Sequence, residues 1–369
     1  MSNVVASKAV AALLCGAGLA LPLTAEAAEK RTWVVSWFTQ ALHSVEGDCP
    51  KGYNPLIAEA YRRDLVAVGT PPAEVEKVLE GMNRNDPYSV ERLVNRGRIN
   101  GKPVNAYTNP DAVPTPPQLV SEGKYAYGFN LDGKGAASPL GFEDPETGEK
   151  GVNNQYARVT GCLLGSRAAP PIRPLYWELT WRTMRDAIPA WVITATIDNE
   201  QTGEATITID KSLDHPKLDT NGEAKLDVTY RIDPDSRWHN VYQAKFKDGA
   251  FTVESGNLAL KGDPYMIAVL QLHTLHMRFK VKDDGSLEGI IGGYEPWEDI
   301  NFMYASRGYT SESMVGVDMV TMYKALRDHA DADPDPVTGR NKSISVAYHV
   351  EGARAFAVPA DGQASASAP

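Results

Sequence analysis

The densest run of oxygen-bearing side chains lies between Asn130 and Cys162. Asp132 sits in Asn130-Leu131-Asp132-Gly133-Lys134-Gly135, Asp144 opens Asp144-Pro145-Glu146-Thr147-Gly148, and Asn153 and Asn154 follow in Gly151-Val152-Asn153-Asn154-Gln155. A hard cation such as Ca2+ takes about six to eight oxygens from carboxylates, amides and backbone carbonyls, and Gly-rich loops can fold several onto one ion. A second run is Asp331-Ala332-Asp333-Pro334-Asp335-Pro336. Its alternating carboxylates imitate the start of an EF-hand loop, but Pro336 stands where that loop needs Gly and Lys342 where it needs Glu. The sequence therefore offers Asp132, Asp144, Asn153, Asn154, Asp331, Asp333 and Asp335 as candidate Ca2+ ligands. Beside that stands the plainer reading that these side chains cap their own turns.

Other chemistry is sparser. His273 and His276 would share a face on a helix. The alternation from Met277 to Lys282 reads instead as a strand, which sends them to opposite faces. Glu295, Glu298 and Asp299 flank Trp297, a setting that suits a glycosidase and equally an exposed acidic turn. The chain has no G-x-S-x-G, no H-E-x-x-H, no Walker loop and no strand-linked G-x-G-x-x-G. Lys plus Arg number 37 against 47 Asp plus Glu, a formal charge of -10, and no basic patch stands out. That balance argues against nucleic acid as a partner.

The elements that must position these groups begin with a leader. Lys8, the apolar run Ala9 to Leu23 and Ala25-Glu26-Ala27 have the order of a cleavable export signal. The run is too short for a spanning helix, which needs ~20 residues, and no later segment reaches that length. Cleavage after Ala27 would leave a periplasmic or secreted chain with no membrane span and two cysteines, Cys49 and Cys162. An even pair in an oxidising compartment reads as one disulfide.

Thr32 to Phe38 reads as a strand. Asn54-Pro55, Thr70-Pro71 and Asp86-Pro87 each precede an apolar helical stripe, so each predicts a capping side chain followed by Pro at the first helical position. Residues 99–172 are aperiodic and rich in Gly, Pro, Asn and Asp. From Leu175 the pattern becomes β. Trp191–Ile197 and Ala205–Ile209 form a hairpin, Phe246 and Phe251 flank a turn, and Met277–Lys282 turns back through Leu287–Ile291. One late helix is capped by Asp318, and a last strand runs from Ser343 toward Val358. The expected fold is α+β, with β-sandwich-like antiparallel sheets and a small helical, loop-rich N-terminal part. The expected divisions are 1–27 signal peptide, 28–172 helical and loop-rich part, 173–358 β-rich domain and 359–369 disordered tail.

Phe129-x-Leu131-Asp132-Gly133, Gly151-Val152-Asn153-Asn154-Gln155, Gly161-Cys162, Gly292-Gly293-Tyr294, the Asp331 run with Thr338-Gly339, and Ile344-Ser345-x-Ala347-Tyr348 resemble a group of exported proteobacterial proteins of unknown function. The group often shows Asp where this chain has Asn153, which weakens the metal reading at that position. The resemblance implies export and a likeness along most of the mature chain, and supplies no catalytic residue. The sequence thus points to an exported, non-catalytic binding or structural protein, calcium-stabilised if the loops hold an ion. Its partner would be a small molecule, a glycan or a protein. The alternative is a hydrolase acting on an extracellular polymer such as a polysaccharide.

Overall fold

The computed structural model describes residues 29–168, 173–185, 188–199, 201–261 and 269–360. The expected signal peptide at 1–27 and residues 361–369 of the expected tail lie outside this range. In chain order the first elements are β1 (Glu29–Gln40), α1 (Ile57–Ala67), α2 (Pro72–Met82), α3 (Pro87–Val94), β2 (Gly97–Ile99), β3 (Lys102–Val104), β4 (Phe142–Glu143), β5 (Lys150–Val152), α4 (Gln155–Thr160) and α5 (Leu175–Met184). Next come β6 (Trp191–Asn199), β7 (Glu204–Lys211), β8 (Val228–Arg231), β9 (His239–Lys247), β10 (Ala250–Val253), β11 (Leu258–Lys261), β12 (Val269–Val281) and β13 (Leu287–Pro296). The chain ends with α6 (Trp297–Ala305), α7 (Tyr309–Val315), α8 (Met319–His329), β14 (Ala332–Pro334) and β15 (Asn341–Val358).

Alternation builds the wall. Ile193, Ala195 and Ile197 on β6 and Ala205, Ile207 and Ile209 on β7 are buried in one apolar cluster with Phe251, Phe279, Leu287 and Val350. The strands follow the order β1-β6-β7-β9-β10-β12-β13-β15, and β15 pairs back onto β1. Every one of these neighbours is antiparallel. The expected antiparallel α+β class is therefore present, but the sheet closes into an eight-stranded barrel rather than two stacked sheets. The reason is the register Trp33↔Arg354 to Gln40↔Tyr348, which joins what would be two free edges. β11, β14 and β8 add to the wall at β12 and β15, β8 in parallel.

The apolar cluster runs from the barrel interior into Tyr156 of α4, Trp181 of α5, Trp297 of α6 and Met322 of α8, which close one end. Leu175–Met184 is thus helical, where the sequence reading began the β region. α6 and α7 join the one late helix that was expected. Of the three expected caps only Asp86 holds, accepting from the Ser89 N–H at 3.0 Å. α1 starts at Ile57 with Leu56, which has no capping side chain, at its cap position, and Asn54 bonds to Leu119 and Cys162 instead.

Cys49 and Cys162 are disulfide-bonded, with Cα atoms 5.8 Å apart and a sequence separation of 113. The bridge ties the approach to α1 to the end of α4. Replacing both by Ser should lower stability by about 2–5 kcal/mol. Denaturant melts of the oxidised wild type and the double variant measure this, and coincident curves would show the bridge to be energetically idle.

Candidate functional site

The two oxygen-rich runs meet on the outer wall of the barrel. Asn153 Oδ1 accepts from the N–H of Leu131 at 2.8 Å and of Asp132 at 3.1 Å, folding one loop onto the other. Gly151 has φ +81° and lies where a Cβ would come within 1.8 Å of the Gly135 carbonyl oxygen, so only glycine fits. Asn154 caps α4 through Ala157 N–H and donates to the Tyr127 carbonyl. Asp144 is buried, accepts from the N–H groups of Glu146 and Thr147, and pairs with Arg278 at 3.1 Å. Burial raises its pKa, but the amides and Arg278 outweigh burial and hold the carboxyl below its ordinary value.

Asp132 accepts from Lys134 N–H and the Ser138 hydroxyl, and Asp331 from Ser345 N–H and hydroxyl. Asp335 accepts from the N–H groups of Val337 and Thr338, and Asp333 faces His273 Nε2 at 2.6 Å. All seven candidate ligands are therefore engaged by the protein's own groups. Asp132, Asp331 and Asp333 nonetheless share one neighbourhood, since all three push the Tyr294 hydroxyl pKa upward after burial has done so. Burial carries Asp331 up to about 6, with Asp132 adding to it. Among the described residues no group of three or more His, Cys, Asp and Glu is arranged to hold a metal ion.

His273 and His276 both sit on this outer face, against Tyr294 and Phe129 at ring separations of 5.5 Å each. Strict alternation would have separated them. The β12 register shifts between the two, where Thr274 takes φ +50°, and this bulge brings them to one side. The acidic triplet does not converge: Glu295 is buried and accepts from Tyr348 at 2.5 Å, whereas Glu298 is exposed on α6.

The residue that sequence reasoning passed over is Arg96, just after α3 and fully buried. Its Nε donates to Asp64 Oδ2 at 2.9 Å, and its Nη2 to Glu312 Oε1 at 2.8 Å and Asp318 Oδ1 at 3.3 Å. Its Nη1 donates to the Leu93 carbonyl. The rings of Tyr61 and Tyr107 lie 5.0 and 5.2 Å from the guanidinium carbon. Both hydroxyls donate to Glu312 Oε2, Tyr61 at 2.7 Å. α1 supplies Tyr61 and Asp64, α7 supplies Glu312, and Asp318 caps α8 through Val320 N–H at 3.0 Å. Burial pushes Glu312 up to about 7, with Arg96 opposing and Asp318 reinforcing. Burial and Asp318 push Asp64 up to about 6 against Arg96.

Asp318 also lines a cleft of about 270 Å³. Leu56, Ala60, Pro116, Leu163 and Val317 make its walls largely apolar. Its size falls just below the ~300–1,000 Å³ of clefts that take drug-sized molecules, so it suits a smaller one. Asp318 Oδ2 and Gln118 Oε1, both from lining residues, are buried and accept no hydrogen bond among the described residues. Gln118 is oriented by its Nε2, which donates to the Val159 carbonyl at 2.7 Å. A second cavity, of about 420 Å³, opens at the other end of the barrel. Its Arg31 and Arg354 are already paired with Glu29 and Asp227.

Two consequences are measurable. Asp64 and Glu312 hold their protons more tightly folded than unfolded, so the native state binds the excess protons. Their contribution to stability therefore falls as pH rises from 3.8 to about 6 for Asp64 and from 4.5 to about 7 for Glu312. Glu312→Gln keeps an acceptor for Arg96, and the tyrosine hydroxyls can turn to accept from its amide. Denaturant melts across pH 4.5 to 7.5 should show the wild type losing stability relative to this variant; parallel profiles would refute the assignment. Arg96→Met leaves three carboxyls without their cation and should cost about 3–5 kcal/mol, more at pH 8 than at pH 5. Compared with protein-family models, with curated proteins and with solved structures, the chain matches none.

Proposed function

We propose that this chain is an exported, non-catalytic binding protein that holds a small molecule in the cleft lined by Asp318. The observation that carries the reading is the pair of acceptors, Asp318 Oδ2 and Gln118 Oε1, buried without a donor among the described residues, on two residues that line a mainly apolar cleft. A buried polar atom left unpaired costs roughly 1–3 kcal/mol, and a bound molecule that donates to it removes that penalty. Export is supported by the Cys49–Cys162 bridge, since such bonds persist in oxidising compartments, and by the leader-like sequence.

The hydrolase alternative has less support. Glycosidase carboxyls flank the scissile bond ~5–9.5 Å apart. Asp64 and Asp318 instead share the Nε–Nη2 edge of Arg96, and Glu295 is buried on Tyr348. Neither arrangement leaves an acid and a base facing one another across the cleft.

Cyclohexanol and cyclohexylamine are probes of suitable size. At least one should raise the melting temperature of the mature chain, by an amount equivalent to about 2.7 kcal/mol at a hundredfold excess over Kd. Thr321→Trp places an indole in the cleft and should abolish the shift. No shift with either probe in the wild type, or a shift that survives Thr321→Trp, would overturn the reading.

A further inference from the structure

We propose that the cleft selects a primary ammonium group carried on a small apolar body, with Asp318 Oδ2 and Gln118 Oε1 as its acceptors. This rests on the cleft being a binding site and names the class of molecule it takes.

The argument starts from charge. Among the described residues Arg96 is the one cation bonded to Asp64, Glu312 and Asp318, and all four side chains are at least nine-tenths buried. Fully ionised, the cluster is two positive charges short. Tyr61 and Tyr107 donate hydrogen bonds to Glu312 but bring no charge. Met319 N–H donates to Glu312 and Val320 N–H to Asp318, so the first turn of α8 adds partial positive charge to these two carboxyls. Arg63 on the cleft rim is paired with Glu59 at 3.4 Å and half exposed. Once Asp64 and Glu312 have given up their protons, that deficit stands at the wall where the cluster meets the cleft, and Asp318 is the residue common to both.

Polarity gives the rest of the ligand. The two orphan atoms are acceptors, so the group that completes them is a donor. An ammonium offers three donors and one positive charge, matching both the hydrogen-bond deficit and the charge deficit. A hydroxyl matches only the first, and a carboxylate neither. Of the polar side chains on the wall, Asn54, Arg63, Thr115 and Thr321 already bond to Leu119 and Cys162, Glu59, Asp64 and the Asp318 carbonyl, so Leu56, Ala60, Leu163 and Val317 leave the remainder of the ligand apolar contact.

Titration calorimetry of the mature chain at pH 7.5 tests this with cyclohexylamine, cyclohexanol and cyclohexanecarboxylate, which share one ring. The amine should bind at least tenfold more tightly than the alcohol, and the carboxylate should not bind. Asp318→Asn keeps an acceptor for Arg96 and remains a good helix cap, so it should bring the amine down to the affinity of the alcohol. If the alcohol binds as well as the amine in the wild type, the ammonium class is wrong while the cleft stays a binding site. If the amine keeps its advantage in Asp318→Asn, the assignment to Asp318 is wrong. If neither amine nor alcohol binds, the cleft reading itself fails. The wild-type comparison requires no variant to fold.

Discussion

The pairing of β1 with β15 is the constraint from which the remaining architecture follows. It joins the two ends of the described chain in one register, and in doing so fixes where every insertion must leave the barrel. β1 ends at Gln40 and β6 begins at Trp191 on the neighbouring stave, so the segment carrying α1 to α5 starts and finishes at one end. β13 ends at Pro296 opposite Ser343 of β15, so the segment carrying α6 to α8 starts and finishes there too. Two helix-bearing insertions emerging side by side from one rim must pack on each other.

Arg96 is the buried ionic joint between the two insertions. It and Asp64 come from the first, Glu312 and Asp318 from the second. Replacing a buried ion cluster by an apolar joint of the same volume is often neutral or stabilising, because the cost of desolvating ions can exceed what their attraction returns. What the ionic joint provides is a single geometry: a guanidinium has fixed donor directions, and its Nε, Nη1 and Nη2 all have acceptors. The same choice leaves an excess of negative charge beside the Asp318 wall. The cleft's chemistry is thus a by-product of how the helices are docked, which is why it lies at the joint rather than in the barrel, whose interior is filled by side chains.

Much of the wall could be read from sequence, because period-two alternation and Gly-containing turns are local signals. The β6–β7, β9–β10 and β12–β13 hairpins pair as expected. Closure was not legible, since a sandwich and a barrel have the same strands and differ in which edges meet. α5 was missed because Trp177 and Trp181 favour strands by propensity, while both are buried in the apolar cluster on one helix, Trp181 edge-on to Trp37. The histidine pair was misplaced because one bulge at Thr274 resets alternation. Arg96 left no trace: a lone arginine after a helix reads as solvated, and its partners Asp64, Glu312 and Asp318 are scattered over the chain. The oxygen-rich loops drew attention by composition, yet composition cannot tell a ligand from a side chain that holds its own turn.

Asn54 shows how the cleft gains its rigidity. Expected to cap α1, it instead donates through Nδ2 to the Leu119 carbonyl at 2.7 Å and the Cys162 carbonyl at 3.2 Å, while its Oδ1 accepts from Leu119 N–H at 2.8 Å. Its own N–H donates to the Cys162 carbonyl at 3.0 Å. One amide thereby brackets three segments that line the cleft, those at Asn54–Leu56, Gln118–Leu119 and Leu163–Gly165. The Cys49–Cys162 bridge fixes the same strand of loop covalently, and Arg167, paired with Asp48 at 2.8 Å, donates to the Gly161 carbonyl beside it. Binding on irregular loops normally carries the entropy of ordering them, which subtracts directly from affinity. Here the hydrogen bonds of Asn54 and the disulfide hold these segments in the folded chain itself, which lowers that cost for a molecule bound in the proposed site. For the binding site proposed above, the bracket at Asn54 is what holds the loop walls in one arrangement.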